Sequence, residues 1–320
     1  MTTCYAAFGL ALQSSFQLSG MLPEQASELP SLELTLTTPG ELEKSWRDHR
    51  ASPEWRGRLG DGRELVIERG SGDDRLFSYR DPDVSGDDLA SFHLHSSMRR
   101  LVCASRSQGL DWQQALIGKV LPAISVMRGY EALHAAAVVS PQGTIAIMAP
   151  SGSGKSTLAL ELLRRGWPLL ADDVLALERI AGTVYAHPGS PHMNLSEPLP
   201  DALDPQELGT TLGMLGGERW LAARMIAKRA RPMRMACLLE RAPGLPLESR
   251  VLPASPLALA PYILGLSTDA ERQRDRFCLY SDLMRSTTLL RLTAGSEHRP
   301  AQLADLLELE IASACTRESA

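Results

Sequence analysis

The residues best suited to chemistry fall in two places, the stretch Ala149-Pro-Ser-Gly-Ser-Gly-Lys-Ser156 and the acidic pair Asp172-Asp173. The stretch fits the phosphate-loop pattern G-x-x-x-x-G-K-[ST] at every fixed position except the first, where Ala149 replaces glycine. Such a loop serves polyphosphate binding. The successive amides of 152–156 converge on one concavity at the positive end of a helix, and Gly152 and Gly154 allow backbone angles and close approaches that a β-carbon obstructs. Ser151, Gly152, Ser153, Gly154, Lys155, Ser156 and Thr157 are therefore the expected nucleotide-binding set, with Lys155 on the β- and γ-phosphates and the Ser156 hydroxyl on Mg²⁺. Lysine is scarce here, occurring only at 44, 119, 155 and 228 in an arginine-dominated chain. A compact ammonium inside this loop suits phosphate oxygens. Of two adjacent carboxylates, one can hold a metal while the other accepts a proton from an attacking hydroxyl. Read without its neighbours, Asp172-Asp173 is a solvated acidic turn.

These side chains need particular elements to position them. A strand over 144–148 leads into the loop, and a helix over 157–165 leads out, stopped by Gly166 and Pro168. The run 168–171 reads as a strand beside the loop's own strand, delivering the acidic pair to a strand's carboxyl end, where ligands of open α/β sheets collect. Leu133–Val139 and Thr144–Met148, joined by Ser140-Pro-Gln-Gly143, read as a β-hairpin. Further strands are expected at 174–178 and 183–186. Upstream, Asp111 is the expected N-cap of a helix carrying Trp112, Leu116, Val120, Ile124 and Met127, which Pro122 kinks or divides. We place a domain boundary just before it. Residues 1–110 read as short strands, with Leu32, Leu34 and Leu36 alternating, Leu65–Ile67 apolar, and Phe77 and Tyr79 flanking Ser78, separated by links such as Gly60–Arg63. The C-terminal part predicts helices near 257–265 and 273–285, a strand at 288–292 and a closing helix from about 300 to 313.

Composition narrows the class. The chain has 320 residues, 44% of them apolar and 22% charged, which excludes wholesale disorder and collagen-like character. Its net charge of -5 argues against a general affinity for nucleic acid or an anionic membrane. No run of apolar residues is long enough to predict a transmembrane helix, and the uncharged start through Met21 lacks a basic n-region and is interrupted at Gln13-Ser-Ser15. Five scattered cysteines (4, 103, 237, 278, 315) with no CxxC pairing fit a reducing cytoplasm.

Three motifs in register, His134, the loop through Ser156 with its helix end Leu162-Leu-Arg-Arg-Gly166, and Ala171-Asp-Asp173, resemble the catalytic domain of bacterial HPr kinase/phosphorylase. The resemblance is closer still to the shorter HPr-kinase-related proteins of peptide-modification gene clusters. It covers 134–178 strongly and the rest of 112–315 in general pattern. It implies an α/β fold of the HPr kinase/PEP carboxykinase-like type over 111–320, preceded by a smaller β-rich or α+β domain over 1–110. It also implies an ATP- and Mg²⁺-dependent kinase acting on a Ser or Thr hydroxyl of a protein or peptide, and allows a homo-oligomer. Asp172 matches the general base, Asp173 the neighbouring metal-binding acid, His134 the active-site histidine and Glu197 a metal-linked glutamate. The Pro-Gly-Arg signature of the bifunctional enzymes is absent, Val251-Leu-Pro-Ala-Ser-Pro256 standing in its place, so the resemblance does not carry over the reverse phosphorylase activity or the recognition of HPr itself. From the residues alone, a core histidine on an apolar strand is the alternative for His134. The basic run Arg224–Arg234 is either a solvated face or a phosphoryl-stabilising element, and His187 and His192, in a proline-rich turn, form no metal signature. A nucleotide-binding regulatory module and a small-molecule hydroxyl kinase stay open as alternative functions.

Overall fold

Alternation of apolar and polar residues builds the first sheet, as in Ser31–Leu36, where Leu32 and Leu34 are buried between exposed neighbours. The structure is a computed structural model that describes residues 2–25, 28–59, 62–83, 88–265 and 269–318, with side chains to 313. It is mixed α/β and divides into two compact units, Met1–Arg128 with Leu212–Glu218, and Gly129–Thr211 with Arg219–Ala320. No helix among the described residues is long and apolar enough to cross a membrane.

In the first unit the strands are β1 (Thr3–Ala7), β2 (Leu10–Ser14), β3 (Ser31–Leu36), β4 (Ser52–Arg58), β5 (Glu64–Arg69), β6 (Arg75–Arg80), β7 (Ala90–Leu94) and β8 (Arg100–Ser105). They form one sheet in the order β1-β2-β3-β8-β7-β6-β5-β4. Helix α1 (Pro39–Trp46) starts at a capping box, the Thr38 side chain accepting from the Glu41 amide while Glu41 accepts from the Thr38 amide. It buries Leu42 against Leu76 and Ala104. The segment predicted as one helix from 111 is α2 (Asp111–Ala115), a π turn over Leu116–Val120, and α3 (Leu121–Met127). Pro122, which has no N–H to give, is the second residue after that π turn, so the expected interruption takes this form. Asp111 is the first helical residue rather than the N-cap, because its carboxylate is engaged by the Ser107 hydroxyl at 2.6 Å and the Arg63 guanidinium at 3.0 Å. This segment groups with the N-terminal unit, whose first stretch ends at Arg128. Gly60 and Asp61 of the expected Gly60–Arg63 link, and the Cys315 side chain, lie outside the described residues. Cys4, Cys103, Cys237 and Cys278 are free thiols.

The second unit is built on β9 (Glu131–His134), β10 (Ala136–Ser140), β11 (Gly143–Met148), α4 (Lys155–Arg164), β12 (Leu169–Ala171), β13 (Val174–Ile180) and β14 (Thr183–His187). Along the chain these are followed by β15 (His192–Ser196), α5 (Pro205–Leu208), β16 (Gly209–Leu215, of which 212–215 group with the first unit), β17 (Glu218–Ala223), β18 (Arg231–Arg241), β19 (Glu248–Val251), a 3₁₀ helix at Pro256–Tyr262, β20 (Ile263–Leu264), α6 (Ala270–Ser286), β21 (Thr288–Ala294) and α7 (Pro300–Glu318). The long β18 joins two wings. On one side β12-β10-β11 runs into β18, which pairs β21 in parallel; on the other, β18 meets β14, then β13, β9 and β20. β15, β17 and β16 form a separate three-stranded sheet. The strands around the loop are apolar on both faces because both are covered. Ile145 and Ile147 of β11 pack with Leu158, Leu162 and Leu303 of α4 and α7, whereas Ala146 and Met148 pack with Leu279 and Leu283 of α6.

Two expectations need correction here. Leu133–Val139 is not one strand: it breaks at Ala135 into β9, which pairs β13, and β10, which pairs β11 and β12. β12 lies beyond β10 and is not adjacent to β11, whose two edges are taken by β10 and β18. Both β11 and β12 are antiparallel to β10, so they still run the same way and deliver their carboxyl ends to one rim.

Candidate active site

Where β11 ends the chain turns through Ala149–Gly154 and enters α4 at Lys155, two residues before the expected start. The turn depends on left-handed backbone at Gly152 (φ 77°) and Gly154 (φ 89°). Gly154 is the residue capping α4 and offers no side chain to its free amides, leaving them for another acceptor. A β-carbon on Gly152 would meet nothing within 4 Å, so the tip of the loop is open. The helix is held from its far end: buried Glu161 takes both Arg164 and Arg165, and Arg165 reaches the Ala301 carbonyl and the Glu308 carboxylate of α7. The Leu-Leu-Arg-Arg-Gly helix end thus ties the loop's helix to its neighbour.

Lys155 is buried, its Nζ donating to the carbonyls of Ala149 at 3.0 Å and Pro150 at 3.4 Å. Burial pulls its pKa below the usual lysine range, partly opposed by the negative charges of Asp172 and Asp173. The Ser156 hydroxyl donates to Asp172 Oδ1 at 2.9 Å. Asp172 Oδ2 accepts from the Asn194 amide at 3.2 Å, and the Asn194 side chain donates to Asp173 Oδ2 at 3.1 Å. Asp172 is pushed up to about 7 by burial and by the adjacent Asp173 charge, against which the Ser156 and Asn194 hydrogen bonds and Lys155 act.

The acidic pair sits on a sharp turn. Asp173 has φ 67°, sparsely populated for a residue with a side chain, and the Val174 amide closes back on the Asp172 carbonyl at 2.8 Å. The turn lets β12 remain with β10 while β13 departs to β9, opposite the break at Ala135. At that divergence His134 Nδ1 lies 3.0 Å from the Asp173 carbonyl. A carbonyl only accepts, so Nδ1 carries a hydrogen. The strand bearing His134 is anchored by buried Glu131, which pairs with Arg276 at 2.7 Å and Arg272 at 3.1 Å.

The fold therefore brings together Lys155, Ser156, Asp172, Asp173 and His134. Around them Ser151 and Gly152 are exposed, while Ser153, Gly154 and Thr157 are half-buried. Glu197 is engaged elsewhere, its carboxylate accepting from Arg219 Nε at 2.6 Å and from the Leu199 amide at 3.1 Å. These bonds, Arg219 foremost, hold it below the ordinary glutamate range. Among the described residues it does not gather with Asp172 and Asp173 into a set of metal-ligand atoms within 4.8 Å of one another. His187 is taken by Glu178 and His192 stacks on Trp220, both buried in side-chain contacts. The basic run is partly backbone scaffold: Met225 and Ala227 bracket Leu169 at the start of β12 through hydrogen bonds of 3.0 and 2.7 Å.

Sequence reasoning missed two site residues. Asn194 touches both aspartates from β15, and nothing in its neighbours marks it. Arg241, at the end of β18, places Nη1 3.4 Å from where a β-carbon on Gly154 would stand, while its Nη2 donates to the carbonyls of Gly295, Ser296 and His298. Its only hint is a cation ending an apolar strand.

These features define a mixed α/β protein in which a strand, a glycine loop and a helix hold a buried lysine and a hydroxyl beside a carboxylate pair. Among solved structures, the chain is similar to the HPr(Ser) kinase/phosphatase from Coxiella burnetii, with 13% identity and a TM-score of 0.33 over 57% of this chain and 97% of that one. No protein-family model and no curated protein matches the chain.

Proposed function

We propose that the Gly129–Ala320 part of the chain is an ATP- and Mg²⁺-dependent kinase that phosphorylates a Ser or Thr hydroxyl of a protein or peptide. The observation that carries the reading is the 2.9 Å hydrogen bond from Ser156, at the start of α4, to Asp172 Oδ1, next to buried Lys155. It joins a loop suited to phosphates to a carboxylate suited to proton transfer.

The residues fit both groups. Uncapped amides at the start of α4 and an open Gly152 suit phosphate oxygens, and Ser156 with Asp173 supplies the hard oxygen donors that Mg²⁺ takes. When bound, Mg²⁺ neutralises phosphate charge. Lys155 exchanges its loop carbonyls for the β- and γ-phosphates, with the amides of 152–156 around them. Asp172 accepts the proton of the acceptor hydroxyl at a carboxylate oxygen; a pKa near the working pH balances ionisation against proton affinity. The Asn194 contacts orient both carboxylates, and His134 steadies the turn through the Asp173 carbonyl.

The test is transfer from γ-labelled ATP with Mg²⁺ to candidate Ser- or Thr-containing peptides and to metabolite hydroxyls, in the wild type, Lys155→Ala, Asp172→Asn and Asp173→Asn. Asp172→Asn is expected to lower transfer about 10²- to 10⁴-fold while ATP binding persists. Asp173→Asn is expected to raise the Mg²⁺ concentration required. Nucleotide binding with no labelled acceptor, unchanged by Asp172→Asn, would replace this reading with a regulatory nucleotide module. Label confined to metabolites would replace it with a small-molecule kinase.

A further inference from the structure

The N-terminal unit contains a second cluster of chemically capable side chains, formed by His49, Asp74 and His93. We propose that these three residues bind a divalent transition-metal ion, with zinc the best match to the donor set.

Their origins are far apart in sequence. His49 lies in the turn that ends α1, its amide donating to the Trp46 carbonyl at 3.0 Å. Asp74 immediately precedes β6, and His93 sits within β7. Packing of α1 through Leu42 onto Leu76 and Ala104 brings the turn to the sheet. One ligand atom from each residue then lies within 4.8 Å of the other two. Among the described residues this is the one set of three or more His, Cys, Asp or Glu side chains so arranged.

Three further features point to a ligand. His49 Nδ1 is buried and has no hydrogen-bond partner, an expensive state for an imidazole nitrogen that a metal or a bound water on that ring would relieve. Gly70 lies against the same atom: a β-carbon there would stand 2.7 Å from His49 Nδ1 and 2.6 Å from the Trp46 ring, so glycine keeps a notch beside the imidazole. The surroundings also resemble the outer shell that orients metal ligands. Trp46 stacks on His49 at 4.4 Å, both histidine rings meet edge-on at 5.6 Å, and Asp74 Oδ1 is fixed by the Ser96 amide at 2.8 Å. The carboxyl end of α1 adds the negative end of a helix dipole, favourable to a cation.

The donor chemistry selects the ion. Two imidazoles and one carboxylate suit zinc and neighbouring transition metals, whereas Mg²⁺ and Ca²⁺ take oxygen sets. Three protein ligands leave one tetrahedral position to solvent, and both histidines are partly exposed. In the structure His93 Nε2 and Asp74 Oδ2 are hydrogen-bonded at 2.7 Å. Since a carboxylate accepts, Nε2 holds the hydrogen. Coordination through Nε2 moves that proton to Nδ1, or releases it to solvent from an imidazolium, and opens the pair to about 3.3 Å, the edge of a tetrahedron with bonds near 2.0 Å.

The experiment uses untagged, full-length protein stripped with a chelator and titrated with Zn²⁺ and with Co²⁺ in excess Mg²⁺, which occupies the carboxylate site of the other unit. We expect one Zn²⁺ per chain and a Co²⁺ spectrum with the intense visible bands of a four-coordinate site. His93→Gln and, separately, His49→Gln should weaken Zn²⁺ by more than the roughly 100-fold that outer-shell changes cost. Asp172→Asn should leave Zn²⁺ affinity unchanged. The wild-type Co²⁺ spectrum needs no variant to fold. A wild type that binds no Zn²⁺ in excess Mg²⁺, a six-coordinate Co²⁺ spectrum, affinity indifferent to both histidine variants, or loss on Asp172→Asn would each overturn the proposal.

Discussion

Asp74 in the first unit and Asp172 in the second are equally withdrawn from solvent, 7% and 8% exposed, yet their acidities move in opposite directions. Burial raises the pKa of both. Around Asp74 this is outweighed by hydrogen bonds from His93 and the Ser96 amide, and the carboxyl falls below its ordinary range. Around Asp172 burial is reinforced by the carboxylate beside it, so its hydrogen bonds and Lys155 fall short and it rises to about 7. The first environment stabilises a fixed anion, as a metal ligand must be. The second keeps a carboxyl poised between two protonation states, as proton transfer requires. Solvent exposure does not separate the two acidities; their neighbours do.

The widest separation is expected in stability against pH, measured in chelator by denaturant unfolding. A folded pKa above the unfolded one gives stability that is complete below about pH 4 and lost as pH rises towards 7, so Asp172 should cost the wild type on the order of a few kcal/mol across that window. Asp172→Asn should flatten the slope and be the more stable protein at pH 8. An unchanged slope would mean that Asp172 is no more strained than Asp74, and the contrast would collapse.

The glycines of the two clusters offer a finer test. Gly70 has ordinary backbone angles, but a β-carbon there meets the rigid Trp46 ring at 2.6 Å, so Gly70→Ala should cost about 1–3 kcal/mol through overpacking. Gly152 has open space and φ 77°, so Gly152→Ala should cost about 1 kcal/mol, from the backbone alone. Thermal unfolding of the two variants checks the order. Reversal would place the tight packing at the loop and the free space at the histidines.

Most of what positions the loop was legible along the chain. Period-two alternation marked β3 and β6, a short apolar run marked β5, and Gly166 and Pro168 marked the end of α4, because these signals are local. Lys155 and Ser156 were legible for the same reason: loop chemistry needs its residues at fixed short spacings. The break at Ala135 was not legible, since an apolar run buried on both sides reads alike whether it is one strand or two. The place of β12 beyond β10 was likewise invisible, because the other edge of β11 is taken by β18, a strand far along the chain.

The sequence by itself determined the strand–loop–helix with its lysine, the acidic pair and a β-rich N-terminal region, all set by neighbours within a few residues. Only the tertiary structure decided that Ser156 reaches Asp172, that Asn194 and Arg241 border the site while Glu197 turns to Arg219, and that His49, Asp74 and His93 converge. Those partners are separated by tens of residues, and no local propensity encodes a contact that sheet pairing and helix packing create.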